Sequence, residues 1–364
     1  TYYAWQGLYD YTWANGSEAG AFASKLENKA VTWEKNGNLN TGFEASLFKG
    51  KIYVTAEYYN RHTRDMLLQS PLAISTGFKG FDANVGSMRN QGFEFSGRVN
   101  LISHENFRWD ATVMASLNRN KVTSLTTSQD FISSGASVIE VGKPIYTFYL
   151  SKSAGVDPAT GKRLYYAYWK RGIDENGSLV NVRCDEYITD NVSLASLSKY
   201  YMGSREPAVS GSFGSSFQIF RNIDLSFLTT WSIGGKVYDG LYSGTMNVQY
   251  AGNNWHKNAL RRWQKPGDVT DVPMMEIGGS SAANDSALIN ASYFAIKNIT
   301  LGYTFPAKWL SKIEVKALRL FVTADNLVMF NHLDGMDPQY NFTGSVSYTY
   351  APSRAVVAGI DLQF

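Results

Sequence analysis

The last twelve residues, 353–364, alternate between apolar and polar side chains. Ile360, Leu362 and Phe364 share one face, while Asp361 and a glutamine lie on the other. A period of two is the pattern of a β-strand with one apolar face and one polar face. This stretch therefore predicts a closing strand, either in the sheet of a water-soluble domain or in the wall of a membrane barrel.

The same alternation recurs along the chain and predicts antiparallel hairpins. Leu39, Phe43 and Leu47 share a face, and the turn Lys49-Gly50 leads directly into a second alternating stretch. Two alternating strands joined by two residues are typical of a hairpin. We predict clear strands at residues 39–47, 52–59, 93–101, 107–117, 209–220, 223–233, 293–305, 315–325 and 353–364, and less regular ones at 144–154 and 163–169.

The connections between these strands alternate in length. Short ones fall near positions 49, 104, 158, 221 and 309, the last at 306–313, and longer ones lie between them, such as 61–86. The alternation of 293–305 changes parity at Lys297-Asn298, which predicts a bulge there. Outer-membrane barrels have short periplasmic turns and long extracellular loops, whereas a soluble sandwich gives no reason for such an order. We therefore predict an all-β, antiparallel transmembrane β-barrel, with about 11–12 strands in this chain.

Composition is compatible with this architecture and excludes some partners. The 34 basic and 31 acidic residues are scattered, so nucleic acid is not supported as a partner. Aromatic residues make up 14% of the chain, and tyrosine and tryptophan suit a membrane interface. The single cysteine, Cys184, excludes an intrachain disulfide. No apolar run reaches the roughly 18 residues of a transmembrane helix.

Short motifs follow one another in a characteristic order over residues 31–364. Each is only a few residues long, but their order and spacing together resemble the SusC/RagA-type TonB-dependent transporters. They are Trp33-Glu34-Lys35, Asn84-Val85-Gly86, Asn90-Gln91-Gly92-Phe93-Glu94, the segment from Gly155 to Gly161, the segment from Lys297 to Pro306, Asp325-Asn326-Leu327, Asp337-Pro338, and Gly359 to Phe364.

The resemblance implies a barrel of about 22 strands in the outer membrane, in contact with its lipid. It also implies a plug domain, a segment that contacts TonB and its partners ExbB and ExbD, and a SusD-like surface lipoprotein that covers the barrel mouth. The implied substrate is a glycan or a peptide. Because residues 1–364 contain neither plug nor TonB-contacting segment, we expect them to form the carboxy-terminal part of one barrel domain.

Candidate ligand contacts lie in the predicted outer loops and at strand ends. Aromatic rings stack on sugars or peptide side chains, and carboxylates accept hydrogen bonds from them. An interfacial aromatic girdle is the alternative role for the rings, and solvation or a partner contact is the alternative for the acids. The candidates are Tyr165, Tyr168, Trp169, Trp255, Asp334 and Asp337. At the terminus, Ile360, Leu362 and Phe364 form the expected barrel assembly signal.

The sequence predicts no catalytic residue, metal site or cofactor. His62, His104, His256 and His332 fall on different connections and share no strand face, so they do not form a pattern of metal ligands. The serines lack the Gly-x-Ser-x-Gly elbow of a hydrolase.

Three functional hypotheses follow from these observations. The first is TonB-dependent import of an oligosaccharide or oligopeptide across the Gram-negative outer membrane. The second is a structural or adhesive barrel that binds a surface partner, and the third is an outer-membrane hydrolase. The loop chemistry does not distinguish glycan from peptide.

Overall fold

Antiparallel strands dominate this computed structural model, which describes residues 3–126, 130–247, 252–310, 314–333, 335–339 and 343–364. The helices α1 (Val192–Leu197), α2 (Gly240–Thr245) and α3 (Ala307–Leu310) are short, as are the 3₁₀ turns Ile74–Thr76, Lys257–Arg261 and Asp285–Ala287. The strands are β1 (Leu8–Asn15), β2 (Glu18–Lys25), β3 (Lys35–Leu47), β4 (Ile52–Pro71), β5 (Gly80–His104), β6 (Phe107–Leu125), β7 (Phe131–Ser134), β8 (Ser137–Glu140), β9 (Thr147–Val156), β10 (Arg163–Ile173), β11 (Leu179–Thr189), β12 (Lys199–Ser204), β13 (Val209–Ile219), β14 (Ile223–Ile233), β15 (Lys236–Asp239), β16 (Leu288–Asn290), β17 (Tyr293–Thr304), β18 (Ala317–Asn331), β19 (Ser345–Val346) and β20 (Ala355–Gln363).

The chain divides into two compact units. The first contains Thr1–Asn100 and Thr112–Ile145, and the second contains Leu101–Ala111 and Tyr146–Phe364. In the first unit, β3, β4 and β5 pair in order, with Phe43 opposite Ala56 and Ala56 opposite Phe95. The apolar face predicted for these strands is therefore continuous across all three.

In the second unit the long strands pair in the order β20, β18, β17, β14, β13. One register row carries Ala358, Val322, Leu301, Leu225 and Phe217 across the five strands. This face is apolar yet uncovered, since Leu301 is 53% exposed and Val322 is 48% exposed. An extended apolar surface of this kind is unfavourable in water and suits contact with lipid.

Short connections meet at one end of the second unit's sheet. The Phe220 N–H donates to the Asn106 carbonyl at 2.8 Å, and the Thr304 N–H donates to the Asn222 carbonyl at 2.7 Å. These bonds join the turns at 105–106 and 220–222 to each other and to the end of β17, where the connection 305–316 begins. The predicted gathering of short turns at one edge is present within this unit, and the longer connections leave from the opposite strand ends.

Two of the predicted strands belong elsewhere. β9 and β10, which contain most of the predicted strands 144–154 and 163–169, pair with each other, with β11 and with β12, but not with the long strands. Among the described residues the long strands therefore number nine (β3, β4, β5, β6, β13, β14, β17, β18 and β20). The short turn near 158 lies inside a long connection. The β9–β10 hairpin contributes two strands. Leaving both out of the sheet therefore does not change the order in which the remaining short and long connections alternate.

Other boundaries also shift. We predicted a long loop at 61–86, but β4 continues to Pro71 and β5 begins at Gly80. A bulge hides this continuation: the pairing shifts between Thr63 and Met66, and Asp65 has a φ of 57°. A bulge interrupts the period of two, so the pattern ends where the strand does not. Within the predicted short return at 306–313, Ala307–Leu310 form helix α3, and residues 311–313 lie outside the described ranges.

Bulges explain why several motif residues occur where they do. The predicted bulge at Lys297-Asn298 is confirmed, because the β17–β18 register shifts between Ile296 and Asn298. The Asn298 amide donates to the Asp325 carboxylate at 2.7 Å, which brings two motifs together. In the first unit the Asn84 amide donates to the carbonyls of Asp65 and Thr32 at 2.6 and 3.0 Å. The Asp65 carbonyl is a backbone group that the bulge leaves outside the ladder, and the Asn84 amide supplies its hydrogen bond.

An arginine joins three strands on the polar face of the second unit. Arg319 on β18 donates to both carboxylate oxygens of Asp224 on β14, at 2.9 and 2.6 Å. It also donates to Asp361 on β20 at 3.2 Å. The guanidinium crosses Gly302 on β17, where a Cβ atom would lie 2.6 Å from an Arg319 nitrogen. We call Arg319, Asp224 and Asp361 the arginine clamp.

The terminal strand lies where its alternation predicts. Ile360 pairs with Leu320 on β18, and its side chain is 65% exposed on the apolar face. Leu362 and Phe364 are also exposed, and the Lys316 ammonium donates to the Phe364 carbonyl at 2.8 Å. The assembly role of Ile360, Leu362 and Phe364 stays a prediction. Within the described ranges, no helix has the length and apolarity needed to cross a membrane.

Candidate ligand-binding site

The site begins with the packing of strands β9 and β10 against helix α1. Tyr165 on β10 is 1% exposed and packs in a core cluster with Ala195 of α1 and Ala282. Its hydroxyl oxygen accepts the Ala282 N–H at 3.2 Å. Burial raises the pKa of Tyr165, so this hydroxyl stays protonated. Helix α1 is fixed in turn by its cap, where the Asn191 side chain accepts the Leu194 N–H at 3.1 Å.

A tight turn after β9 holds a second long connection in place. Asp157 organises the turn by accepting from the Thr160 hydroxyl at 2.6 Å and the Ala159 N–H at 3.0 Å. The Thr160 hydrogen bond is the main cause of a lowered pKa at Asp157. Trp263 from residues 234–292 then donates to the Pro158 carbonyl at 2.9 Å, and its ring lies against Gly161.

Further hydrogen bonds join the connection between β6 and β13 to the connection at 234–292, and a cavity lies between these two segments. The Ser153 N–H donates to the Asp285 carboxylate at 2.9 Å, and the Met274 N–H donates to the Gly161 carbonyl at 2.8 Å. Between them lies a cavity of about 1060 Å³. This is at the upper end of the range for small-ligand sites, roughly 300–1,000 Å³. We call it the loop cavity. Polar members of its wall include Ser153, Lys162, Arg163, Asp190, Tyr242 and Asp285.

Arg163 is the most unusual charged group of the loop cavity. Its guanidinium donates to the Ser153 hydroxyl at 3.1 Å and to the Asp271 carbonyl at 3.1 Å. Burial lowers the pKa of Arg163, and Asp271 and Asp285 oppose that effect only through space. In contrast, the neighbouring Lys162 is exposed and forms an ion pair with Asp190 at 3.3 Å.

The structure does not bring all the predicted contact residues together. Tyr165 lines the loop cavity, although its ring is fully buried. Tyr168 lies further along β10, where its hydroxyl donates to the Lys199 carbonyl at 2.7 Å, and the Trp169 carbonyl accepts from the Tyr187 hydroxyl at 2.8 Å. Trp255 precedes the 3₁₀ turn Lys257–Arg261 and is not part of the cavity wall.

The predicted acids of the last long connection lie away from this wall. Asp337 is 4% exposed and lines a separate cavity of about 310 Å³ beside β17 and β18. Its carboxylate accepts the Gln339 N–H at 2.8 Å, so it supports the local loop. Asp334 lies outside the described residues. Ligand contact by the predicted residues stays a prediction.

Sequence reasoning missed Arg163, Ser153 and Asp285. Arg163 opens a short alternating strand, where a charged residue is ordinary. Ser153 lies on the preceding strand of the same hairpin, and Asp285 comes from a distant connection. Only the chain's folding places Asp285 against Ser153. A weak signal existed in the motif from Gly155 to Gly161, because a conformationally demanding turn beside a strand of tyrosines marks a constrained position.

The Tyr165 hydroxyl provides a first test of the site. Replacing Tyr165 with Phe leaves the buried Ala282 N–H without its acceptor, which we expect to destabilise the packing of residues 282–287 by about 1–3 kcal/mol. Hydrogen exchange of the Ala282 amide measures the change. Tyr166→Phe is the control, since Tyr166 lies on the opposite face of β10 and contacts Lys152 through its ring. Equal protection of Ala282 in both variants would contradict the assignment.

Metal binding finds no support in the described part of the chain, where no group of three or more His, Cys, Asp or Glu side chains is placed to hold an ion.

Comparison with known proteins identifies the family. The model of the family described as TonB dependent receptor-like, beta-barrel, matches residues 2–327. The chain belongs to this family. Its all-β, antiparallel architecture agrees with that assignment, and the resemblance to SusC and RagA is confirmed by the relatives described next.

Curated relatives and solved structures align over nearly the whole chain. TonB-dependent receptor P39 of Formosa agariphila is 26% identical over 93% of this chain and 36% of its own length. TonB-dependent receptor SusC of Bacteroides thetaiotaomicron is 27% identical over 93% of this chain and 33% of its own length. The RagAB peptide transporter structure matches 100% of this chain and 39% of its own, at 26% identity and a TM-score of 0.81. The chain thus spans about a third of the length of the curated relatives it matches.

Proposed function

We propose that this chain is part of a TonB-dependent transporter that imports a nutrient, an oligosaccharide or an oligopeptide, across the bacterial outer membrane. The observation that carries the proposal is the loop cavity. It is built from two long connections, which leave the strands at the ends opposite to the short turns. In a barrel with periplasmic short turns, that cavity faces the medium from which a nutrient arrives.

The two faces of the long strands support a location in the membrane. The face containing Leu301, Val322 and Ile360 is apolar and exposed, as lipid contact requires. The opposite face carries the arginine clamp and the hydrogen bond between Thr300 and Thr323, and it suits a wet lumen. In the described residues β20 pairs with β18 alone, and we propose that residues 1–364 are the carboxy-terminal part of one barrel domain whose other strands complete the wall.

The proposed partners follow from the family. A plug and a TonB-contacting segment would couple the barrel to TonB, ExbB and ExbD, and a SusD-like lipoprotein would cover the loop cavity. Curated relatives about three times longer than the matched region leave room for these parts. The chain contributes wall, outer loops and the ligand cavity, and no catalytic residue is assigned to it.

Energy coupling provides the test of this function. Cells that produce the protein should accumulate its nutrient only while a proton gradient is maintained, because import against a concentration gradient requires coupling to TonB. Labelled peptide and oligosaccharide pools would be measured in cells with and without a protonophore, beside cells that lack the gene. Uptake that ignores the gradient would indicate a passive pore, and absence of any gene-dependent uptake would favour the adhesive role.

A further inference from the structure

The Arg163 guanidinium faces the loop cavity without an acidic partner in contact. Its two hydrogen bonds go to neutral oxygens, on Ser153 and on the Asp271 backbone. Among the described residues, no carboxylate oxygen lies within the 4.0 Å that defines an ion pair with it. The remaining N–H donors of the fork therefore have no protein acceptor in that part of the chain.

Nearby acids are occupied by other groups. The Asp271 carboxylate pairs with Arg261 at 3.3 Å, Asp285 accepts the Ser153 N–H, and Asp190 pairs with Lys162. Glu276, the remaining acid of the cavity wall, is exposed. A half-buried guanidinium is stabilised most by a carboxylate that accepts two parallel N–H bonds, and that position is left to a ligand.

The rest of the cavity wall contains adaptable apolar and aromatic groups that fit the side chains of a peptide. Met246 and Met274 line it, and methionine adapts its shape to varied apolar groups. Pro273 adds apolar surface, and the partly buried Tyr238 and Tyr242 contribute aromatic rings that can pack against peptide side chains. A short peptide combines a carboxylate with apolar side chains, so it complements both the arginine and these walls.

We propose that Arg163 anchors the carboxy-terminal carboxylate of a short peptide in the loop cavity. This assignment rests on the proposed import function and specifies its substrate. Arg163 is held in position by the Ser153 hydroxyl and the Asp271 carbonyl, which turn the fork toward the cavity. Lysine can replace it only in part, since an ammonium group keeps the charge but lacks the planar fork.

The proposal is tested by measuring equilibrium binding of small probes to the full-length protein, purified in detergent from the cells that produce it. The probes are tetrapeptides with a free carboxy terminus, the same peptides amidated, and galacturonate and galactose tetrasaccharides. We expect the free-acid peptides to bind best and Arg163→Gln to weaken that binding about 10- to 100-fold, while amides bind equally to both proteins. Arg163→Lys should retain only part of the affinity.

Lys170→Gln is the matched control, because Lys170 is exposed on the same strand and lies outside the cavity wall. It removes one positive charge and should leave binding unchanged. Equal binding of acid and amide peptides, no binding of either, or equal losses in the Arg163 and Lys170 variants overturns the proposal. Preference for galacturonate over every peptide would overturn the peptide assignment.

Failure of this proposal and failure of the transport function give different results. If peptide binding depends on Arg163 but uptake does not depend on the proton gradient, the proposed peptide site stands and the proposed coupling to TonB is wrong. If uptake depends on the gradient but Arg163→Gln binds peptides as the unmodified protein does, the transport function stands and the role of Arg163 is wrong.

Discussion

Replacing Gly161 with alanine is expected to separate the two long connections that enclose the loop cavity. Gly161 has a φ of 74°, and a Cβ atom there would lie 2.4 Å from the Trp263 ring. The left-handed conformation costs an alanine about 1–2 kcal/mol, and overpacking adds about 1–3 kcal/mol. Together these penalties are large enough to release Trp263 from the turn. Limited proteolysis within residues 252–290 should become faster, and peptide affinity should fall.

Two variants isolate the cause. Gly177 has a φ of 77° with nothing within 4 Å of the position that a Cβ atom would take, so Gly177→Ala carries the backbone strain without the collision. Trp263→Ala removes the collision with the ring, so adding Gly161→Ala to it should cost only the backbone strain and the closer approach to the Met274 Cβ atom at 3.0 Å. A cycle of the two substitutions measures the coupling. If Gly161→Ala and Gly177→Ala change proteolysis equally, the ring contact does not position the connection.

Replacing Gly302 with alanine is expected to open the arginine clamp. Its Cβ atom would lie 2.4 Å from one Asp224 oxygen and 2.6 Å from Arg319, so the ion pair and the methyl group cannot occupy the same space. Overpacking of this kind costs about 1–3 kcal/mol. Since Arg319 also holds Asp361, the terminal strand loses a contact with β18 beyond the backbone ladder. The temperature at which the folded form disappears in semi-native electrophoresis should fall.

Gly214→Ala is the matched control for this effect. Gly214 lies on β13 in the same sheet, and the nearest atoms to its Cβ position are 3.7 Å away, an ordinary contact distance. Arg319→Met removes the ion pair and so frees the Asp224 carboxylate to turn away from the added methyl group. Combining it with Gly302→Ala should therefore add little to its own effect. An unfolding temperature that is equal for Gly302→Ala and Gly214→Ala would show that the clamp does not stabilise the terminal strand.

Within the second unit the predicted short connections lie at one end of the sheet, although two of the predicted strands do not belong to that sheet. The connection between β4 and β5, predicted to be long, is short. We predicted that β9 and β10 belong with the long strands, which adds two antiparallel strands to the sheet. Two added strands return the chain to the same end, so the positions predicted for the later turns do not change. The alternation therefore predicted the end of the sheet at which each of these turns lies, but not the number of strands in that sheet. The loop predicted at 61–86 failed differently, because the bulge at Asp65 shifts the alternation although pairing continues on both sides.

The candidate site was harder to predict than the fold. Tyr165 was recognised as a residue at the end of a loop strand, but its ring faces α1 and is buried. Arg163, two positions earlier, carries the chemistry that the cavity offers a ligand. Arg163 and Tyr165 are two positions apart on one strand, so the period of two does not separate their roles. Their surroundings differ because different residues of other segments pack against them.

By itself, the sequence determined the alternation of apolar and polar faces, the class of architecture, the motifs of the family and the turns that require glycine. These properties are local, because a period of two and a left-handed turn are set by neighbouring residues. Only the tertiary structure decided that Asn84 and Asn298 hold bulges, that Arg319 joins three strands, and that Arg163 lines a cavity. Each of those depends on contacts between residues far apart in the chain, and their geometry is fixed by packing rather than by sequence spacing.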